Sequence, residues 1–118
     1  MADRKIAELS ELEATGARTV RLEVRGESLD LFLVKDQRRV YGYFDRCPHT
    51  GAPLCWREHV YLDTSGTEIV CATHDARFEI ASGRCLVGPC VGERLQPAPI
   101  RVVGEAVYFL DGAENDDG

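Results

Sequence analysis

The chain has no long apolar run. Its first residues, Met1-Ala-Asp-Arg-Lys-Ile6, contain no apolar run. No stretch reaches the roughly 20 apolar residues that a bilayer-spanning helix needs. The sequence therefore predicts no signal peptide and no membrane anchor, and the expected compartment is the cytoplasm. An excess of positive charge is missing too. Lys and Arg number 14 against 20 Asp and Glu, a formal net charge of -6. That sign disfavours nucleic acid and anionic membrane as partners. It suits docking on a basic patch of a partner protein, and it also serves plain solubility. Catalytic groupings are absent as well. There is no Ser/His/Asp set, no phosphate-binding glycine loop and no pair of carboxylates that stands out. The chain lacks repeats and linkers, and only Ser10-Glu11-Leu12-Glu13 looks helical.

What is present is a pattern of short strands. At 118 residues the chain makes one domain. A chain of this size buries roughly two-thirds of its unfolded surface. Apolar residues at 44% and charged residues at 29% suit a globular protein. Thr19–Arg25 alternates apolar and polar residues, the period of a half-buried strand. Leu29–Val34 is mostly apolar and predicts a second strand, followed by a third at Val40–Phe44. Val60–Leu62 and Glu68–Cys71 flank a turn at Asp63–Gly66, and Arg77–Ile80 follows. Ile100–Val103 and Ala106–Leu110 form a last hairpin around Gly104-Glu105. The acidic stretch 111–118 is expected to be a disordered tail.

Two short pairs interrupt this pattern: Cys47-Pro48-His49 and Cys71-Ala72-Thr73-His74. Each offers one thiolate and one imidazole, and 21 residues separate His49 from Cys71. Two Cys and two His match a mixed-ligand [2Fe–2S] site, where Cys holds one iron and His the other. A structural zinc module can use the same four residues, but it groups Cys with Cys and His with His. Here each loop carries one of each, as two loops must if both touch both irons. Cys55, Cys85 and Cys90 are left over. In a reducing compartment they predict free thiols rather than a disulfide framework. A buried Cys commonly acts as a small hydrophobe. A redox-responsive pair at Cys85 and Cys90 is the alternative.

On these residues the chain resembles the Rieske [2Fe–2S] domain, and within it the soluble, ferredoxin-like branch. The matching stretches are Cys47-Pro-His-Thr-Gly-Ala-Pro-Leu54, Cys71-Ala-Thr-His-Asp-Ala-Arg-Phe78, Ser82-Gly83-Arg84 and Gly88-Pro89. The resemblance implies an all-β fold of antiparallel sheets, with a cluster-binding subdomain at about 45–89 inserted into a base at 1–44 and 90–110. It implies one [2Fe–2S] cluster per chain, with Cys47 and Cys71 on the inner iron and neutral His49 and His74 on the outer. Around them, Pro48 stiffens its loop and Gly51 lets the backbone approach. Gly88-Pro89 resembles the loop that covers the cluster from one side.

Departures from the family pattern bear on potential. High-potential members carry a second Cys in each ligand loop, joined as a disulfide. Those positions here are Ala52 and Thr73. The Ser and Tyr hydroxyls that meet cluster sulfur in such members align with Ala76 and Phe78, which have none. Fewer hydrogen bonds to sulfur stabilise the reduced state less, so the low end of the Rieske range, about -150 mV, is expected. Asp75 stands where the family commonly has Gly. Its carboxylate either lowers the potential further or tolerates a left-handed turn and points to water. The segment between the pairs is longer than usual and carries Trp56, His59 and Tyr61. It is either a partner-recognition flap or a longer hairpin over Trp56.

Four protein ligands and the sulfides leave no open iron position for substrate, which favours electron transfer over catalysis. The implied role is a monomeric carrier of single electrons between a flavin or iron–sulfur reductase and a terminal oxygenase. The alternatives are a fixed small subunit of a larger oxidoreductase, nitrite-reductase-like or dioxygenase-like, and a redox sensor.

Overall fold

The computed structural model describes residues 3–13, 16–24, 26–36, 39–46, 61–63, 66–71, 76–88 and 91–110. Among them nine strands run in chain order: β1 (Asp3–Glu8), β2 (Ala17–Val24), β3 (Glu27–Asp36), β4 (Arg39–Phe44), β5 (Glu68–Cys71), β6 (Ala76–Glu79), β7 (Cys85–Val87), β8 (Ile100–Val103) and β9 (Ala106–Leu110). They form three antiparallel sheets, ordered β1-β9-β8, β2-β3-β4 and β5-β6-β7. The all-β expectation holds.

Strand β3 explains how the sheets stack. Leu31, Phe32, Leu33 and Val34 are all fully buried, although successive side chains of a strand point to opposite faces. Phe32 and Val34 enter one core with Tyr43, Tyr61, Ile69 and Phe78. Leu31 and Leu33 enter a second core with Ala7, Leu12, Val107 and Phe109. The β2-β3-β4 sheet is therefore a central layer, with β1-β9-β8 packed on one face and β5-β6-β7 on the other. Burial on both faces is why the segment reads as a continuous apolar run instead of alternating. Each of the four side chains contributes about 1.5–3 kcal/mol on leaving water.

The flanking sheets show where the sequence pattern falls short. Strand β1 lies at a sheet edge, paired only with β9 and with a register shift between Lys5 and Ala7. Its single fully buried apolar side chain is Ala7, so it carries no readable alternation. Strand β7 is a three-residue edge strand on β6 with only Cys85 buried. Instead of a strand at Val60–Leu62, the described part shows one bridge, Leu62 to Ile69. Val60 lies outside the described residues. The helical turn is 3-10, spanning Leu9–Leu12, with Glu8 and Glu11 forming a reciprocal cap and Leu12 buried beneath it. Residues 111–118 also lie outside the described residues.

Tyr43 closes the core between the central and small sheets. Its hydroxyl donates to the Ile80 carbonyl at 2.6 Å, and its ring lies 5.9 Å from that of Phe32. Burial pushes the phenol up from 10.0 to about 12; Tyr41 and Glu79 add to the rise and Arg94 opposes it. The neutral form is the one the fold favours. The contribution is therefore complete below pH 10 and is lost as pH rises through about 12. Urea titrations should show stability falling across that window. Tyr43→Phe should flatten the fall and cost about 1 kcal/mol at neutral pH from the lost hydrogen bond. An unchanged alkaline slope in the variant would refute this account.

Candidate metal centre

Cys71, the first residue of the second Cys/His pair, ends β5 at the mouth of a hairpin. Strands β5 and β6 pair in the register Ile69 to Phe78 and Cys71 to Ala76. Residues 72–75 make the link between them. Cys71, Ala76, Ile69 and Phe78 are buried and belong to the core shared with the central sheet. Val70 and Arg77 take the other face, as alternation requires. There Arg77 bridges Asp63 at 3.3 Å and Glu68 at 3.4 Å. Asp63 also accepts the Thr67 N–H at 2.9 Å, tying the preceding turn to the same strap. Such half-exposed pairs contribute about 0–1 kcal/mol each, so they fix orientation more than stability.

A third segment lies against the hairpin mouth. Gly88 has φ +117, and a Cβ there would meet the Cα and Cβ of Ala76 at 2.9 Å. Glycine is required on both counts. Ala76, which the sequence marks as lacking a hydroxyl, is therefore packed directly against the Gly88 backbone. Phe78 is fully buried and pairs with Cys85 across β6 and β7. Cys85 is buried in the same core, with a weak S–H contact to the Val87 carbonyl at 3.4 Å. Neither Cys71 nor Cys85 is in a disulfide.

Tyr61 joins the roots of the two candidate ligand loops. Its hydroxyl donates to Asp45 Oδ2 at 2.8 Å, two residues before Cys47. The same oxygen lies 2.9 Å from Thr19 Oγ1. Its carbonyl accepts the Val70 N–H at 2.8 Å, one residue before Cys71. Its ring stacks on Phe32, with centroids 4.1 Å apart and planes 9° from parallel. One buried residue therefore ties both ends of segment 46–60 together, through its hydroxyl, and holds them against β5, through its carbonyl. Sequence reasoning placed Tyr61 in a long hairpin and missed this role, because no local pattern links it to Asp45.

Of the residues singled out from the sequence, the structure places Cys71, Ala76 and Phe78 together on one buried face. Cys47, Pro48, His49, Gly51, His74, Asp75 and Pro89 lie outside the described residues. So do Cys55, Trp56, His59 and Cys90. Among the described residues no three His, Cys, Asp or Glu side chains gather as a metal site. The donor chemistry nonetheless fits an iron–sulfur cluster. Two thiols and two imidazoles are the mixed set, and Cys71 is a buried thiol at a loop root where water is excluded.

Comparison with known proteins decides the family. The model of the Rieske [2Fe-2S] domain matches residues 3–109. The chain belongs to the Rieske family. The Rieske chain is 29% identical to the ferredoxin component of the naphthalene 1,2-dioxygenase system of Pseudomonas aeruginosa, over 86 residues that cover 73% of this chain and 75% of that one. It superposes on the ferredoxin of carbazole 1,9a-dioxygenase from Nocardioides aromaticivorans with TM-score 0.69 at 23% identity, covering 92% of this chain and 97% of that one. A complex of reduced oxygenase and oxidised ferredoxin in carbazole 1,9a-dioxygenase matches equally well, at TM-score 0.69 and 23% identity over 91% of each chain. These two likenesses show the shared fold. As a member of the Rieske [2Fe-2S] domain family, the chain carries one [2Fe–2S] cluster, a group that transfers single electrons.

Tyr61→Phe keeps the stack on Phe32 and removes both hydroxyl contacts. It should cost about 1 kcal/mol in urea unfolding and speed cluster loss to a chelator, followed by visible circular dichroism. Asp45→Asn keeps an acceptor for the phenol and should retain the cluster better than Asp45→Ala. Equal cluster lifetimes in all three variants would show that the tie does not hold the loops.

Proposed function

We propose that this Rieske protein is a cytoplasmic, monomeric carrier that takes single electrons from a flavin or iron–sulfur reductase and delivers them to a terminal oxygenase. The observation that carries this reading is the match of the Rieske [2Fe-2S] domain to nearly the whole chain, joined to a relative that is itself the ferredoxin component of a dioxygenase system. The carbazole 1,9a-dioxygenase ferredoxin, alike in fold, meets its oxygenase as a separate chain. Among the described residues no helix is long and apolar enough to cross a membrane.

In this reading Cys47 and Cys71 hold one iron as thiolates, and His49 and His74 hold the other as neutral imidazoles. Residues 45–89 form the cluster-binding unit. The bound group would supply a one-electron couple. The chain's own residues set the conditions for that couple. The β5–β6 hairpin fixes Cys71 out of water, and the Gly88 backbone presses on Ala76 beside it. Ala76 and Phe78 offer no hydroxyl to a sulfur atom. Neutral imidazoles in place of thiolates raise the potential above an all-Cys cluster, and the missing hydroxyls hold it at the lower end of the family's range.

Electron paramagnetic resonance on the dithionite-reduced protein, with iron, sulfide and zinc assayed on the same sample, tests the assignment. The expected result is a rhombic signal with a low average g-value and about two irons per chain, as the mixed-ligand cluster requires. Cys71→Ser and His74→Ala should each lose it. Protein-film voltammetry at neutral pH should give about -150 mV. A silent spectrum with one zinc per chain would sink the carrier reading in favour of a structural metal module. A clearly positive potential would overturn the account of Ala76 and Phe78.

A further inference from the structure

Among the described residues, three arginines cluster near the roots of the candidate ligand loops, on a chain that is acidic as a whole. Arg84 and Arg94 face each other across an isolated antiparallel bridge, and both are exposed. Residues directly opposite in such a bridge share a face. Arg94 and Arg46 also line one depression, of about 300 Å³. Arg84, Arg94 and Val91 line the next, of about 340 Å³, with Glu93 on its rim. Among the described residues none of the three arginines forms an ion pair. Among the described residues the two depressions are lined by three arginines and one carboxylate, Glu93, on a chain whose net charge is -6.

Exposed apolar side chains adjoin these arginines: Val91 lines the same depression as Arg84 and Arg94, and Leu86 and Val87 follow Arg84 on β7. Leu86 is 45% exposed, Val87 56% and Val91 61%; with Val102 and Val103 they are the large exposed apolar side chains among the described residues. Three of those five therefore fall within six residues of one another, on and after the edge strand β7. This cluster is continuous with the roots of both loops. Arg46 immediately precedes Cys47. The Gly88 backbone, between Val87 and Val91, lies on Ala76, the cross-strand partner of Cys71. Unpaired cations around exposed apolar side chains are the composition of a docking face.

We propose that this carrier meets its redox partner through Leu86, Val87 and Val91 ringed by Arg46, Arg84 and Arg94, and that the partner's surface has an apolar centre bordered by carboxylates. This rests on the carrier reading given above. The sign is the reverse of what the overall acidity suggests. At physiological salt the Debye length is about 8 Å, so distant carboxylates are screened and the contacting face decides complementarity.

Small ions of either charge read that face without a known partner. The holoprotein is reduced and mixed with the Co(III)–EDTA anion or with hexaamminecobalt(III) cation. In each case one electron leaves the reduced cluster and Co(III) becomes Co(II). Oxidation by the anion should slow as salt is raised, and oxidation by the cation should not. Arg84→Glu/Arg94→Glu should reduce the anion's rate about tenfold at low salt. Arg39→Glu, at the far end of β4, should leave it unchanged. Faster oxidation by the anion on adding salt would overturn the proposal, as would equal effects at Arg39 and at the pair.

A second measurement does not depend on electron transfer. Redox-inert hexacyanochromate(III) added to the oxidised protein should broaden the amide resonances of Arg84, Leu86 and Arg94 before those of other strands. Broadening centred elsewhere would overturn the proposal. Flotation of the protein with phosphatidylglycerol vesicles would assign the face to a membrane surface and overturn the protein partner. A protein that takes up no electron fails the carrier reading, and the chromium result still judges the face.

Discussion

The burial of β3 on both sides is the constraint on which the rest of the molecule depends. Leu31, Phe32, Leu33 and Val34 cannot all leave water unless two further layers cover the central sheet. One cover is built from the two ends of the chain, β1 with β8 and β9. The other is the small sheet whose hairpin mouth carries Cys71. The small sheet has no core of its own among the described residues. Its inward side chains, Ile69, Phe78 and Cys85, complete a core begun by Phe32, Val34 and Tyr43. The placement of the candidate centre is thus set by hydrophobic burial before any metal chemistry enters.

Polar contacts then refine what burial positions coarsely. Tyr61 is held by its stack on Phe32 and spends its hydroxyl and carbonyl on the roots of two different loops. A single hydrogen bond of this kind contributes little to global stability, but it fixes the distance between segments that must meet. Gly88 on Ala76 works by exclusion instead. Gly88 has no side chain because a Cβ there would overlap Ala76.

The legibility of the chain follows the same division. The strands that supply core side chains, β2, β3, β4, β6 and β9, announce themselves through apolar periodicity or an apolar run. The edge strands β1 and β7 do not, because their pairing is provided by β9 and β6 while their own side chains stay largely in solvent. The candidate ligands are legible because thiol and imidazole at short spacing are rare for any other purpose. The tie from Tyr61 to Asp45 is not, since it joins residues 16 apart in sequence through space. The arginine face is hidden for a further reason. Net charge sums over the whole surface, whereas Arg46, Arg84 and Arg94 become neighbours only once β4, β7 and the segment after it are folded.

The shared core has a consequence for the life of the chain. A small sheet with its own interior could lose its prosthetic group and unravel alone. Here its loosening would bare Phe32, Val34 and Tyr43 in the middle layer. Anything that binds the hairpin mouth therefore stabilises all three sheets by mass action. Scarcity of iron would then be felt as shortened protein lifetime, through proteolysis of the opened chain, and not only as a pool of intact carriers without cargo.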